Sequence, residues 1–305
     1  MGSVTSSLLY MVPNFRTRKV LIALLVAGSI LALHGQTLKV DVPVVLVNTT
    51  VSDLQGRLVA GLERNNFRIW EDNVEQDVEY FSLEDMPVSV GLVFDTTGSM
   101  TDKLSAAREA ATAFLRTSNP RDEYFLIEFG DQPRLVQDFT TDIPRLQRQI
   151  FSTLAQGLTP LFDAVHLGLE TITGGKNTKK AVLVITDGED NHSHYTFSDI
   201  REFAREHDAE IYAIGLVDSL EGRRTISDIV ETSGGRAFFP NSVNQLDDIC
   251  SKIAIELKNQ YQLGYRSKNE AKDGQWRQIR VEVKPPKGLP PLAVRARTGY
   301  YAPKI

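Results

Sequence analysis

Cysteine is nearly missing from this chain of 305 residues: Cys250 stands alone, so no intrachain disulfide can form and pairing says nothing about redox compartment. It reads as a small hydrophobe on a helix. A long basic tract is also missing. Lys and Arg number 34 against 39 Asp and Glu, a formal net charge of -5, which excludes nucleic acid as the main partner because phosphate binding needs a concentrated cationic face. Short basic pairs such as Arg223-Arg224 read as solvated surface. Neither a Gly-rich phosphate loop nor a Gly-x-Ser-x-Gly elbow occurs, which removes the commonest nucleotide-binding and serine-hydrolase signatures. What remains has the composition of an ordinary globular protein, long enough for two domains.

Long apolar runs are absent except at the amino terminus, where Arg16, Arg18 and Lys19 precede an uncharged stretch from Val20 to Leu33. That is a signal-peptide pattern. As a helix the stretch would span roughly 21 Å, short of the roughly 30 Å hydrocarbon core of a bilayer, which points to a cleaved signal. Leu33-His34-Gly35 makes an imperfect cleavage site, so a retained anchor, and membrane association through it, is the alternative reading for residues 1–35. No Cys follows the run, which excludes a lipoprotein. The chain is expected to be exported, to the periplasm, the cell envelope or the exterior.

Residues 37–85 show short β-branched and aromatic segments with regular turn signals, including Val40, Val42 and Val44, the Gly56 turn, NFRIWEDN and VEQDVEYFSL. From residue 87 to 258 strands alternate with helical patterns. Strands are predicted at Val88 to Asp95, Glu123 to Phe129, Lys180 to Thr186, Glu210 to Gly215 and Arg236 to Phe239. Helices are predicted at Lys103 to Leu115, Leu161 to Ile172, Ser198 to Glu206, Thr225 to Thr232 and Leu246 to Leu257. The alternation implies an α/β fold with a doubly wound, mostly parallel sheet. Residues 259–305 return to β-like segments. Neither β-rich end carries enough apolar surface to close a core alone, so the two are expected to form one small β-sandwich flanking, or interrupted by, the α/β domain.

Within the α/β part, Asp95, Thr97 and Ser99 sit at alternating positions directly after the apolar run Val88 to Phe94. Thr159, in GLTPLFDAV, and Asp187, ending the apolar run of AVLVITDGEDN, offer further oxygens. A small hard cation such as Mg²⁺ collects six oxygens in a near-octahedral array, and hydroxyls serve it well. Each piece alone also reads as a turn or a helix cap. In ordered combination, and at strand ends where α/β sheets bind ligands, they point to one metal site at Asp95, Thr97, Ser99, Thr159 and Asp187.

These three segments resemble the metal-ion-dependent adhesion site (MIDAS) of von Willebrand factor A-type domains, written Asp-x-Ser-x-Ser with a distant Thr and Asp. Thr97 replaces the commoner Ser and keeps the hydroxyl. Over nearly the whole mature chain, including VPVVLVNTTVSDLQGRLVAGLERNNFRIWEDN and the carboxyl-terminal YQLGYRS, DGQWRQIRVEV and VRARTGYYAP, the sequence is similar to the VWFA-related family known from acidobacteria. The resemblance implies Mg²⁺, with Mn²⁺ or Ca²⁺ as substitutes, an open coordination position, and a protein partner that presents a carboxylate there. It implies an adhesion or binding module and no enzyme activity.

A Mg²⁺-dependent hydrolase or phosphotransferase is the rival class, since phosphoryl-transfer sites also place Asp and a cation at a strand end. No second carboxylate stands two residues after Asp95, and no catalytic Lys or Arg is evident. A structural envelope component with a stabilising metal is the third reading. Glu189, Asp190 and Asp102 could hold a second ion but read better as a solvated acidic loop. His192 and His194 could suggest Zn²⁺ but lack further ligands. Asn48-Thr49-Thr50 and Asn191-His192-Ser193 match the N-glycosylation pattern.

Overall fold

The computed structural model describes residues 44–304 apart from 84, 189, 218, 232 and 289. The signal or anchor segment, and the strand positions Val40 and Val42, lie outside the described residues. Among the described residues no helix is long and apolar enough to cross a membrane.

Val88–Asp95 (β5) is buried at every position, as a strand covered on both faces by helices must be. It lies at the centre of a six-stranded sheet between Lys179–Thr186 (β8) and Glu123–Phe129 (β6), followed outward by Glu210–Gly215 (β9) and Ala237–Phe238 (β10) on one side and Pro133–Thr140 (β7) on the other. All neighbours pair in parallel except β7, which runs antiparallel on β6. Gly91 of β5 is required by packing, since a Cβ there would stand 2.1 Å from Cζ of Phe125.

Helices Leu104–Arg116 (α1), Ile143–Ser152 (α2) and Leu246–Lys258 (α6) pack on one face around Leu92, Phe94 and Leu183. Helices Leu161–Ile172 (α3), Phe197–Glu206 (α4) and Leu220–Glu231 (α5) cover the other around Val93, Ile127 and Val184. Cys250 is buried in α6 with its Sγ 3.1 Å from the Ala110 carbonyl, and burial pushes its thiol up to about 12.

Two elements were not foreseen from the sequence. Strand β7 begins at Pro133 and is only partly buried, the mark of an edge strand whose alternation is broken by polar residues. Helix α2 has a proline in its first turn, and Asp142 caps it by accepting from the Arg145 N–H at 3.0 Å. The fifth helix starts at Leu220, ahead of the expected Thr225, because its first turn, an exposed Leu220 followed by Glu221, Gly222 and Arg223, carries no apolar periodicity.

The two β-rich ends build two further four-stranded antiparallel sheets. One orders Ala293–Ala296 (β13), Val44–Ser52 (β1), Tyr261–Arg266 (β11) and Tyr80–Ser82 (β4). The other orders Gly299–Tyr301 (β14), Trp276–Val283 (β12), Phe67–Glu71 (β2) and Val74–Gln76 (β3). Every sheet joins strands from both ends, and their inner faces share one core around Val47, Ile69, Tyr261, Leu263 and Tyr265. The β2–β3 hairpin turns on Asp72 and Asn73, both at positive φ, as a two-residue type I′ turn demands. The chain leaves this sandwich from β4 and returns in β11, and those strands pair directly, Leu263 opposite Phe81. Buried Glu71 of β2 ties the ends further: it accepts hydroxyl hydrogen bonds from Tyr265 at 2.8 Å, Tyr300 at 2.9 Å and Ser267.

The amino-terminal edge of the central sheet faces the sandwich through buried carboxylates that are engaged. Glu210 at the start of β9 is buried and accepts on both oxygens: the Gln260 amide lies 2.7 and 2.6 Å from its two oxygens and the Tyr212 hydroxyl 3.0 Å away. Glu256 of α6 is clamped between Arg236, at 3.1 Å, and Arg295 of β13, at 2.5 Å.

Candidate metal centre

Strand β5 delivers Asp95, with no solvent exposure, to the carboxyl edge of the central sheet. The apolar run before it forces the carboxylate inside, and the hydroxyl-rich turn after it supplies the compensation. Asp95 Oδ1 accepts from the Thr97 N–H at 3.0 Å and from the Thr97 hydroxyl at 2.7 Å, while Oδ2 accepts from the Thr186 hydroxyl at 2.6 Å. Burial pushes the carboxyl up to about 6 against the pull of the Thr186 and Thr97 bonds, and the negative charge of Asp187 adds to the rise.

Thr97 introduces a short 3-10 turn, Gly98–Met100, which carries Ser99 to the surface. The Thr97 and Ser99 hydroxyl oxygens lie 3.0 Å apart. Because the Thr97 proton is committed to Asp95, Ser99 donates in that contact. Adjacent ligands of an octahedral Mg²⁺ stand about 2.9 Å apart when each bond is about 2.05 Å, so this hydroxyl pair has the spacing of two neighbouring ligands.

Asp187 follows β8, and Gly188 behind it takes φ +80°, a left-handed turn with no room for a side chain: a Cβ would lie 2.6 Å from Ile226 Cδ1. Asp187 is buried. Its Oδ2 meets Lys103 Nζ at 3.3 Å, whereas its Oδ1 is buried with no hydrogen-bond partner. A buried carboxylate oxygen left bare is costly, and a cation on it would remove that cost.

Thr159, 2% exposed, is joined to the other segments through the main chain. Its loop is stitched to the Asp95 loop by Gln156 N–H to Thr96 O, 2.7 Å, and Gly98 N–H to Gly157 O, 3.0 Å. It is stitched to the loop after β8 by Thr159 N–H to Asn191 Oδ1, 2.9 Å, and Asn191 N–H to Thr159 O, 3.0 Å. Five residues from three segments far apart in sequence are thus brought to one sheet edge. The residues present fit a small oxygen-seeking cation: Thr97, Ser99 and Thr159 would offer hydroxyls, Asp187 its bare oxygen, and Asp95 would orient Thr97.

Thr186, Lys103 and Asn191 were missed in the sequence. Thr186 had a signal, its place directly before Asp187 at the end of the same strand. The other two had none, because they act through contacts made only on folding.

The rival ligands have other tasks. Asp190 Oδ1 accepts from the Phe162 N–H at 3.2 Å and the Ser193 hydroxyl at 2.5 Å, capping α3. Asp102 is exposed, and Glu189 lies outside the described residues. His194 Nδ1 is 2.8 Å from Asp163 Oδ2, and exposed His192 borders an open groove with Thr96, Asp131 and Gln156. Among the described residues no group of three or more His, Cys, Asp or Glu gathers around one ion position.

Comparison with known proteins gives one family: residues 90–189 match the von Willebrand factor type A domain. No curated protein matches the chain. Among solved structures, the chain is similar to the protein BatB from Bacteroides thetaiotaomicron, with 18% identity over 56% of this chain and 99% of that one, TM-score 0.46. It is also similar to the vWF domain of the type V pili tip protein Mfa5 from Porphyromonas gingivalis, with 13% identity over 57% and 97%, TM-score 0.46. An aerotolerance-related membrane protein from Bacteroides fragilis has 17% identity over 55% and 98%, TM-score 0.46. The match spans β5 through Asp187 and so takes in all five candidate ligands: this chain carries a von Willebrand factor type A domain.

Proposed function

We propose that this protein is an exported protein-binding module whose type A domain holds one divalent cation, Mg²⁺ or Mn²⁺, at Thr97, Ser99, Thr159, Asp95 and Asp187 and uses it to capture an acidic group on a protein partner. The observation that carries the reading is the unpartnered Asp187 Oδ1 at the same sheet edge as the Thr97–Ser99 hydroxyl pair. When bound, the cation supplies Lewis acidity toward the partner's carboxylate. The chain's own residues do the rest. Neutral hydroxyls dominate the donor set, so little of the ion's charge is cancelled. Asp95 holds the Thr97 hydroxyl proton and so turns its lone pairs outward, and the Thr186 hydroxyl holds Asp95 still. The backbone stitching of the three loops fixes the spacing before any ligand arrives.

Export rests on the basic and apolar segment at residues 16–33. The protein-binding role is supported by the type A domain match.

The site is tested by calorimetric titration of Mn²⁺ into the wild-type chain, Ser99→Ala and Asp187→Ala. We expect the wild type to bind one ion and both variants to bind at least tenfold more weakly. Equal affinity in all three would sink the assignment. The partner class is tested by capture from the envelope fraction of the source organism with Mg²⁺ and with EDTA. Loss of capture in EDTA is expected, and capture indifferent to EDTA would remove the metal from recognition.

A further inference from the structure

Lys103 opens helix α1 one turn after Ser99, and the backbone holds it there: its N–H donates to the Met100 carbonyl at 2.9 Å and its own carbonyl accepts from Ala107 at 2.9 Å. Only the side chain is free to move. Its Nζ reaches Asp187 Oδ2 at 3.3 Å, long for a charge-assisted bond, which ordinarily closes to about 2.8 Å. The partners are unequally placed, since the Asp187 side chain is 4% exposed and the Lys103 side chain 36%. Lys103 can therefore withdraw into water without burying its charge, whereas Asp187 cannot follow and keeps a second oxygen bare.

We infer that Lys103 is a resident cation of the metal site: its ammonium neutralises Asp187 while no divalent ion is bound, and it must swing out to solvent before one can bind tightly. The inference rests on the metal-site reading above and adds a regulation to it. An ammonium on Oδ2 and a divalent ion on the bare Oδ1 of one carboxylate repel each other at short range, so each occupancy weakens the other. A site competent for metal in only part of the population shows an affinity lowered by that fraction. Lys103 thus sets metal affinity without being a ligand, and distinguishes itself from a merely structural ion pair by the sign of its effect. A structural pair, once broken, loosens the site; a competitor, once removed, tightens it.

The experiment titrates Mn²⁺ into the full wild-type chain and into Lys103→Met, which keeps the aliphatic stem and removes the charge, with Lys103→Gln as the alternative if the first variant does not fold. Because one partner is solvent-exposed, removal of the competitor should tighten Mn²⁺ binding by about three- to fivefold. In parallel, wild-type protein is treated with an amine-acylating reagent with and without Mn²⁺ and read by peptide mass spectrometry. Lys103 should acylate faster when Mn²⁺ is present, while exposed Lys287 keeps its rate. If the wild type binds Mn²⁺ but the variant binds equally or more weakly, or if Mn²⁺ leaves Lys103 acylation unchanged, Lys103 is not a competitor and the metal site stands without it. If neither protein binds Mn²⁺, the metal reading itself fails and carries this inference down with it.

Discussion

The two ends of the central sheet hold the same kinds of residue and treat them in opposite ways. At the amino edge, Glu123 accepts on Oε1 from the Ser89 hydroxyl at 2.6 Å and the Lys176 N–H at 2.7 Å and meets Lys176 Nζ on Oε2, Glu210 is held by Gln260 and Tyr212, and Glu256 sits between two arginines. Every one of those carboxylates is engaged on both oxygens, or by two cations, and the β-sandwich closes over Glu210 and Glu256. At the carboxyl edge Asp95 is engaged in the same manner, but Asp187 carries one long ion pair and one bare oxygen, and Ser99 reaches solvent. A fully paired buried acid is scaffold. A half-paired one, beside hydroxyls at ligand spacing, is available for chemistry.

That contrast can be broken from either end, and the largest effect should come from the paired one. Glu256→Ala leaves Arg236 and Arg295 facing each other without their shared anion, and should lower unfolding free energy by about 3 kcal/mol in urea titration, with Mn²⁺ affinity unchanged. A loss of metal binding in that variant would show that the two edges are coupled.

A pH scan sharpens the same point. Burial pushes the Glu210 carboxyl up to about 7 from 4.5, against the Gln260 and Tyr212 bonds and the charge of Arg295, with Asp208 adding to the rise; Lys179, buried nearby, is itself drawn down by desolvation. A folded pKa above the unfolded one means that the folded chain holds a proton the unfolded chain has released. The stabilisation is therefore full below about pH 4.5 and is lost as pH rises through about 7. Between pH 5 and 8 stability should fall by about 2 kcal/mol on this account, and Glu210→Gln should flatten that share of the slope in urea titrations repeated across the range.

At the other edge, Thr186→Val removes the 2.6 Å bond to Asp95 and the acceptor of the Gly188 N–H at 3.0 Å. Its expected cost is about 1.5 kcal/mol, read by the same titration, together with weaker Mn²⁺ binding because Asp95 no longer holds its place. The smallest stability effect belongs to the half-paired acid. Asp187→Ala should change metal-free stability by less than about 1 kcal/mol, since its Lys103 partner can turn to water, while the rise in melting temperature on adding Mn²⁺ disappears. A large loss of metal-free stability in Asp187→Ala would put that residue with the scaffold acids and erase the contrast.

Much of this was legible before folding. The apolar runs ending in Asp95 and Thr186 marked buried parallel strands, and the bounds of Glu123–Phe129, Leu161–Ile172 and Glu210–Gly215 agree with the sequence pattern, because well-buried segments are rich in apolar residues at the period of their element. The half-buried elements were not legible. Strand β7 alternates imperfectly because one edge meets water, and the first turn of α5 lacks apolar periodicity because its one large apolar residue, Leu220, is exposed. That the two β-rich ends would build their sheets together followed from their shortage of apolar surface. Which strands pair did not follow, since several short β-branched segments are interchangeable as patterns.

By itself the sequence determined the α/β layer, the strand ends on which Asp95 and Asp187 stand, and the hydroxyls set two residues apart after β5, because periodicity and spacing are local and survive in one dimension. Only the tertiary structure decided which carboxylate oxygens are spoken for. Thr186 on Asp95, Lys103 on Asp187, Gln260 on Glu210 and the tyrosines on Glu71 join residues about 50 to 230 positions apart. Whether a buried acid is paired or bare depends on those distant contacts, and no local pattern records them.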